Sequence, residues 1–162
     1  MHVNLVNPES NLEEIKLVAQ SAFQNTPDSS LEEWFSFSEM KDNLKSGRGL
    51  CVKSESDSGE IVGMLYAQQE SPINGKEGLE KWVIVIAAVL PKFSGQGVGT
   101  ELLRKIEVEV KHKGALKLFT YTNKDDQKVI DFYKKNGFVD AGWIKDYQYG
   151  KNNSAVFLLK YL

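Results

Sequence analysis

Three glycines at alternate positions, Gly95, Gly97 and Gly99, lie where an apolar run meets an amphipathic segment. Glycine can adopt a positive φ and lets another group approach the backbone closely. The first turn of a helix also presents unpaired N–H groups and a partial positive charge, which together suit an anion. The stretch 95–100 therefore predicts a site where main-chain amides hold a phosphate or pyrophosphate. A simple tight turn, the alternative, would need only one of the glycines.

Two well-known phosphate loops do not fit this spacing. A P-loop has a lysine before its Ser or Thr, whereas here Gly99 directly precedes Thr100. The dinucleotide fingerprint Gly-x-Gly-x-x-Gly would need its third glycine at Thr100 if counted from Gly95, or at Leu102 if counted from Gly97. Arg48 and Arg104 are the only arginines among the 20 basic residues, so recognition of phosphate by clustered guanidinium groups is not expected.

Few other side chains have types that could do chemistry. The single cysteine, Cys51, falls in a predicted strand and is expected to be a small buried apolar residue. His2 and His112 are the only histidines, so no cluster of metal ligands is expected. Tyr133 carries a phenolic proton that it could donate, although an amphipathic helix by itself favours a core aromatic at that position.

Composition limits the class of protein. The 162 residues are 41% hydrophobic and 26% charged, which is typical of one globular domain, here 1–162. The net charge of −2 gives no support to a nucleic-acid partner. The apolar runs are too short to span a membrane, and the first residues do not resemble a signal peptide. We therefore expect no membrane partner and a cytoplasmic location.

Hydrophobic periodicity outlines the elements that must position these residues. Strands are predicted at 2–6, 50–56, 59–69, 81–89, 115–122, 138–149 and 154–162. Helices are predicted at 12–23, 31–44, 101–114 and 126–137, and loops at 25–30 and 71–78. Pro8 is expected in the first turn of the first helix, and Ser30 and Glu33 have the spacing of a capping box at the second. The order β-α-α-β-β-β-α-β-α-β-β indicates an α+β domain with a mixed sheet.

The strand at 81–89 and the glycines after it resemble a known family. The strand has no polar residue after Lys81, so it is expected to be central in the sheet and buried on both faces. It ends in AAV and is followed by Pro-x-aromatic-x-Gly-Gln-Gly-Val-Gly-Thr and a Leu-Leu helix. This pattern resembles the acyl-CoA-binding core of the GNAT superfamily of N-acetyltransferases. A second motif, FYKKNGF at 132–138, is similar to that family's Tyr-x-x-x-Gly-Phe signature, and the resemblance covers nearly the whole chain.

The resemblance implies both a fold and an activity. The fold would be a single acyl-CoA N-acyltransferase domain, with a mostly antiparallel sheet of about six to seven strands flanked by about four helices. Acetyl-CoA would be the cosubstrate, without a metal, and the acceptor a primary amine of a small molecule or a peptide. A homodimer is left open. Cys51 lies far from both motifs in sequence, so transfer is expected to be direct, without a thiol intermediate.

The family's binding roles carry over to matching positions of this sequence. The residues implied to contact CoA are Ala87, Ala88, Val89, Gly95, Gln96, Gly97, Val98, Gly99, Thr100, Asp126 and Tyr133. Tyr133 would protonate the departing thiolate, and an N–H near Val89 would polarise the thioester carbonyl. Two positions depart from the family pattern: Ser94 stands where Arg or Gln is usual, and Asp126 where Asn is frequent. Asn123 is a second candidate contact near Asp126.

The sequence points to no obvious general base. Glu70, after the strand at 59–69, is the candidate catalytic base, and Glu80, Tyr121 and Asp146 are further possibilities. Acids at strand ends are usually solvated charges, so proton loss through water stays open.

Acceptor selection is expected from the two N-terminal helices and the loop before the last strand. Helical spacing places Trp34 and Phe37 on one face with Phe35 turned away, although core packing is the favoured explanation for such rings. Tyr147 and Tyr149 are interpreted as bordering the acceptor pocket.

Two other functions stay open at this point: a CoA-binding sensor without catalysis, and a nucleotide-binding protein.

Overall fold

The computed structural model describes residues 1–25, 30–70 and 76–162, so the predicted loops at 25–30 and 71–78 lie partly outside it. The prediction for 76–78 is wrong, because these residues belong to a short helix. Within the described residues, seven strands form one sheet: β1 His2–Leu5, β2 Gly49–Glu55, β3 Ile61–Gln69, β4 Lys81–Val89, β5 Lys117–Asn123, β6 Val139–Ile144 and β7 Ala155–Tyr161. Their order across the sheet is β1-β2-β3-β4-β5-β7-β6. Of the paired neighbours, only β4 and β5 run parallel. The predicted α+β class with a mixed, mostly antiparallel sheet is confirmed.

Helices cover both faces of the sheet. They are α1 Glu13–Phe23, α2 Leu31–Trp34, α3 Phe37–Ser46, α4 Lys76–Glu80, α5 Val98–His112 and α6 Gln127–Lys135. Apolar side chains of α1 and α3 form one core layer with the sheet, and those of α5 and α6 form the other. In the part of the chain that the structure describes, no helix is both long and apolar enough to cross a bilayer.

The predicted second helix is two helices. Phe35 has an extended backbone, with φ −133° and ψ 130°, and its buried ring packs edge-on against Tyr66 at 6.0 Å. The next residue, Ser36, then caps α3 by accepting the N–H of Glu39 at 3.2 Å. A second Ser-x-x-Glu spacing at 36–39 was therefore the sequence signal for a new helix start. At α2, the predicted capping box is confirmed. The N–H of Ser30 donates to the carboxylate of Glu33 at 3.2 Å, and the side chain of Ser30 accepts the N–H of Glu33.

The prediction for Pro8 is wrong, because the first helix begins later. Leu12 is the N-cap of α1, so Pro8 lies outside the helix. The side-chain oxygen of Asn7 accepts the N–H of Glu9 at 2.9 Å, and its carbonyl accepts the N–H of Ser10 at 2.9 Å. This local turn separates β1 from α1.

β4 occupies the centre of the sheet as predicted, but it is not buried along both faces. Trp82 and Ile84 are buried against α5. Towards the end of the strand, Val85, Ala87 and Val89 are only partly buried. An apolar strand is thus left partly uncovered in the half that leads to the glycines.

Candidate active site between two diverging strands

The parallel pairing of β4 with β5 ends early and leaves an opening in the sheet. The last register pair is Val83 with Phe119, although both strands continue beyond it. At the closed end of this opening, which we call its apex, the buried hydroxyl of Thr120 donates to the carbonyl of Ile84 at 3.2 Å. Beyond that hydrogen bond, two strand edges face each other across a gap, and such edges present main-chain groups to any ligand that enters.

A bulge in β4 bends the strand at the same level. Tyr66 of β3 pairs with Ile86, and Ala67 pairs with Ile84, so Val85 is an extra residue without a partner on β3. A bulge of this kind kinks its strand and re-aims the side chains that follow it. The bulge accounts for the divergence of β4 from β5.

The main-chain directions after the bulge follow from one hydrogen bond. The N–H of Leu90 donates to the carbonyl of Val62 on the β3 side at 2.9 Å. Because main-chain groups alternate along a strand, those of Ala88 also face β3. The N–H and C=O groups of Ala87 and Val89 therefore face the opening.

The glycine loop ends in a helix N-terminus without a side-chain cap. After a short 3-10 helix at Pro91–Phe93, Gly95 has φ 76° and Gly97, the N-cap of α5, has φ 84°. No side chain caps α5. The first main-chain hydrogen bond of the helix runs from the N–H of Glu101 to the carbonyl of Gly97, at 3.1 Å. The N–H groups at 98–100 precede that bond, so they are available to an anion.

The three glycines are required for different physical reasons. Gly95 and Gly97 have positive φ, and a Cβ on either would meet nothing within 4 Å. Gly99 has no such backbone requirement, but a Cβ there would lie 3.2 Å from two ring carbons of Phe132 on α6. Two glycines thus shape the loop beside open space, and the third lets α6 approach α5.

Side chains of the loop contribute little to the anion site. The amide of Gln96 donates to the carbonyl of Lys92 at 3.0 Å and closes the turn. The ammonium of Lys92 binds Glu60 at 2.7 Å. Ser94 is exposed and carries no charge. Recognition at this loop would therefore depend on main-chain N–H groups.

Tyr133 lies on α6 beneath the apex of the opening. It is 5% exposed and packs edge-on against Phe132 and Phe138 at 5.1 Å each. Burial raises the pKa of Tyr133 to about 12, while a hydrogen bond with Thr120 works in the opposite direction. The phenol therefore stays protonated at neutral pH and keeps a hydrogen that it can donate. Sequence reasoning did not single out Thr120, although its alternation with Leu118 in β5 placed it on the core face.

Asp126 and Asn123 have structural partners. The carboxylate of Asp126 is the N-cap of α6 and accepts the N–H of Val129 at 3.3 Å. The amide nitrogen of Asn123 donates to Gln148 at 3.4 Å and to Asn153 at 3.3 Å in the β6–β7 loop. The predicted contacts of Asp126 and Asn123 with the cofactor stay predictions.

The four candidate bases lie in different surroundings. Glu70 is partly buried at the end of β3, and its N–H donates to the carbonyl of Lys81 at 3.0 Å. Burial raises the pKa of Tyr121, and the charges of Tyr147 and then of Glu70 add to the rise. Glu80 ends α4, and Asp146 accepts a main-chain N–H within its own loop.

The predicted acceptor aromatics form two groups. In the first, Trp34 packs edge-on against Phe35 at 6.2 Å, and Phe35 against Phe37 at 4.8 Å. The helix break overturns the shared face predicted for Trp34 and Phe37, and Phe35 belongs to the core. In the second group, Tyr147 packs against the sheet, whereas Tyr149 is 99% exposed.

Cys51 is fully buried, as predicted, and burial raises the pKa of its thiol. It packs in the core layer on the α1 and α3 side of the sheet, whereas Tyr133 belongs to the layer on the other side. The thiol has no access to the opening.

Comparisons with known proteins agree with this arrangement. The model of the Acetyltransferase (GNAT) family matches residues 12–138. A curated relative, the tRNA(Met) cytidine acetyltransferase TmcA 2 of Saccharolobus solfataricus, is 41% identical over 61 residues. That match spans 38% of this chain and 8% of the relative, so it carries no information on the acceptor.

Solved structures share the fold over the whole length. The ribosomal-protein-alanine N-acetyltransferase of Brucella melitensis superposes with a TM-score of 0.78 at 17% identity, covering 100% of both chains. An aminoglycoside 6'-N-acetyltransferase in complex with coenzyme A superposes with a TM-score of 0.75 at 16% identity, covering 99% of this chain and 97% of that one. Identities this low show the common fold.

Proposed function

The chain belongs to the Acetyltransferase (GNAT) family, and on that premise we propose that residues 1–162 transfer an acetyl group from acetyl-CoA to a primary amine of a small molecule or a peptide. One observation carries the proposal. An unpaired strand edge, an uncapped helix N-terminus and a buried tyrosine surround the same opening in the sheet. These three features meet the three needs of the reaction: to hold an acyl-CoA, to bind its phosphates and to stabilise its leaving group.

The groups around the opening fit acetyl-CoA. The N–H groups at 98–100 suit a pyrophosphate, because a helix N-terminus favours negative charge. The space beside Gly97 is open, so a phosphate can approach the backbone. The main-chain groups of Ala87 and Val89 suit the amides of the pantetheine arm, which would bind like an added strand.

The reaction requires two bond changes and two proton movements. The amine nitrogen attacks the thioester carbonyl carbon, a C–N bond forms, and the C–S bond breaks to release the CoA thiolate. An N–H near Val89 would donate to the carbonyl oxygen as negative charge develops there. The amine proton passes to Glu70 or to water, and the thiolate takes up one proton from the solvent afterwards.

The high pKa of Tyr133 refines its role. A thiol has an ordinary pKa of about 8.5, so complete proton transfer from a phenol of pKa about 12 is uphill by about 5 kcal/mol. Tyr133 therefore stabilises the departing thiolate as a hydrogen-bond donor, with its own O–H bond kept. This role needs the phenol to stay protonated, and burial ensures that.

Measurement of CoA thiol release with a panel of amines tests the proposal. The relatives named above act on aminoglycosides and on ribosomal-protein alanine, so the panel includes aminoglycosides, alanine peptides and small alkylamines. Tyr133→Phe should lower kcat about a hundred- to a thousandfold, the effect of losing one donor to a developing anion. Calorimetry should show little change in its affinity for acetyl-CoA.

Tyr66→Phe is the matched control, because Tyr66 is another buried tyrosine but packs on the opposite face of the sheet. It should keep its turnover. Tight binding of acetyl-CoA without thiol release from any amine would replace the enzyme by a CoA-binding sensor. Equal affinity for ATP, NAD and acetyl-CoA would favour a nucleotide-binding protein.

A further inference from the structure

Three aromatic rings meet on the face of the sheet opposite Tyr133. Tyr121 of β5 and Phe157 of β7 are register partners, with ring centroids 5.4 Å apart. Tyr147, from the β6–β7 loop, packs edge-on against both, at 5.0 Å from Tyr121 and 5.2 Å from Phe157. Side chains of β5 alternate between the two faces of the sheet. Leu118 points into the α5 and α6 core, so Tyr121, three residues later, points to the opposite face. The three rings therefore lie on the α1 and α3 side of the opening.

Hydrogen bonds hold the loop that carries Tyr147. Asn123 binds the side chains of Gln148 and Asn153, on either side of the loop tip. The N–H of Asp146 donates to the hydroxyl of Ser154 at 3.2 Å. Tyr147 is thus placed before any ligand binds, which lowers the entropy lost on binding.

The rings are accessible, and a carboxylate lies on the same face of the sheet. Tyr121 is 40% exposed and Tyr147 is 47% exposed. Tyr66, Gln68 and Glu70 are two residues apart along the chain, so their side chains lie on one face of the sheet. Tyr66 and Gln68 both bind Asn43 of α3, which places Glu70 on the α3 side, the face that carries the rings. The charge of Glu70 contributes to the raised pKa of Tyr121, after burial and Tyr147. Electron-rich ring faces next to an anionic group attract a cation.

We propose that Tyr121, Tyr147 and Phe157, together with Glu70, bind a second positively charged group of the acceptor, so that the preferred acceptor is a diamine or polyamine. This inference rests on the proposed function, because it assigns the acceptor class of that same site. One ammonium is held at the rings and the carboxylate, and the other amine, after losing its proton, reaches the thioester in the opening. The distance between the two nitrogens then selects the acceptor.

Putrescine and n-butylamine give a direct test, because they share a four-carbon chain and differ only in the second amine. Wild-type protein should acetylate putrescine with a KM about two- to thirtyfold lower than that for butylamine, as one cation–π contact predicts. Tyr147→Leu should raise the KM for putrescine towards that for butylamine, with the affinity for acetyl-CoA unchanged. Tyr147→Phe keeps the ring and should keep the preference.

Two further variants separate this role from others. Glu70→Gln should raise the KM for putrescine alone if Glu70 holds the second ammonium, whereas loss of a general base would lower kcat for both amines. Tyr161→Leu changes a tyrosine at the far end of β7, 68% exposed, and should leave both KM values unchanged.

The outcomes also distinguish this inference from the proposed function. Acetylation of both amines with equal KM, or a Tyr147→Leu variant that keeps the preference, would overturn the inference and leave the acetyltransferase activity standing. Acetylation of peptides or aminoglycosides but of neither alkylamine would overturn it in the same way. No acetylation of any amine in the panel, with tight binding of acetyl-CoA, would overturn both.

Discussion

Replacing Tyr133 with phenylalanine should change how the stability of the fold depends on pH. The phenol is neutral when protonated, and its pKa is about 12 in the folded protein against about 10 in an unfolded chain. Below pH 10 both states are protonated, and the contribution of this group to stability is fully present. Between about pH 10 and 12 the unfolded chain ionises while the folded one does not, so the free energy of unfolding falls.

The size of the effect follows from the difference in pKa. Each unit corresponds to about 1.4 kcal/mol, so wild-type protein should lose about 1.4 kcal/mol through Tyr133 between about pH 8 and pH 11, and about 2.3 kcal/mol by pH 12, where the folded phenol is itself half ionised. Tyr133→Phe should lack this part of the loss. At about pH 8 the variant should be less stable by about 0.5–1.5 kcal/mol, because the hydrogen bond with Thr120 is lost.

Urea denaturation at about pH 8 and about pH 11 measures both the loss of stability with pH and the difference in stability between the variant and the wild type. Near-ultraviolet absorbance of tyrosinate gives a second readout, since the difference between wild-type and variant titrations should show an ionisation near pH 12. Tyr161→Phe, at an exposed tyrosine, should keep the wild-type pH dependence. Equal losses of stability in wild type and Tyr133→Phe between about pH 8 and pH 11 would refute the reasoning, and with it the donor role assigned to the buried phenol.

Three other perturbations test separate parts of the site. Gly99→Ala places a Cβ 3.2 Å from Phe132 and should lower the free energy of unfolding by about 1–3 kcal/mol in urea, with recovery in the double variant with Phe132→Leu. If Gly99→Ala is neutral, the close approach of α5 and α6 does not need glycine. Thr120→Val leaves the carbonyl of Ile84 without its hydroxyl donor and should cost about 1–3 kcal/mol, measured in the same way; an unchanged midpoint contradicts this. Cys51 should not react with a thiol reagent in the native protein and should react after denaturation, and a fast native reaction would show that the strand around it opens.

Gly97 illustrates why the site is better tested through side chains than through its glycines. A Cβ at Gly97 meets nothing within 4 Å, but φ 84° is strained for any other residue. Any L-residue there would disturb the loop even without a ligand. Loss of CoA binding in a Gly97 variant would therefore not identify a blocked phosphate.

The sequence by itself determined the elements and the main-chain part of the site. The period of apolar residues marked the strands and the major helices, and the alternate glycines marked the start of α5. These features are local, because φ values, free N–H groups and alternation depend on residues next to one another in the chain. The break at Phe35 was missed because the burial of its ring against β3 outweighed helix propensity.

Only the tertiary structure decided which distant side chains act together. It separated the role of Gly99, which depends on a ring of α6, from those of Gly95 and Gly97. It also placed Tyr133 under the opening, with a pKa that burial raises, and it brought together rings from two strands and a loop. Burial and contacts between remote residues depend on how the sheet and helices pack, and no short stretch of sequence contains that information.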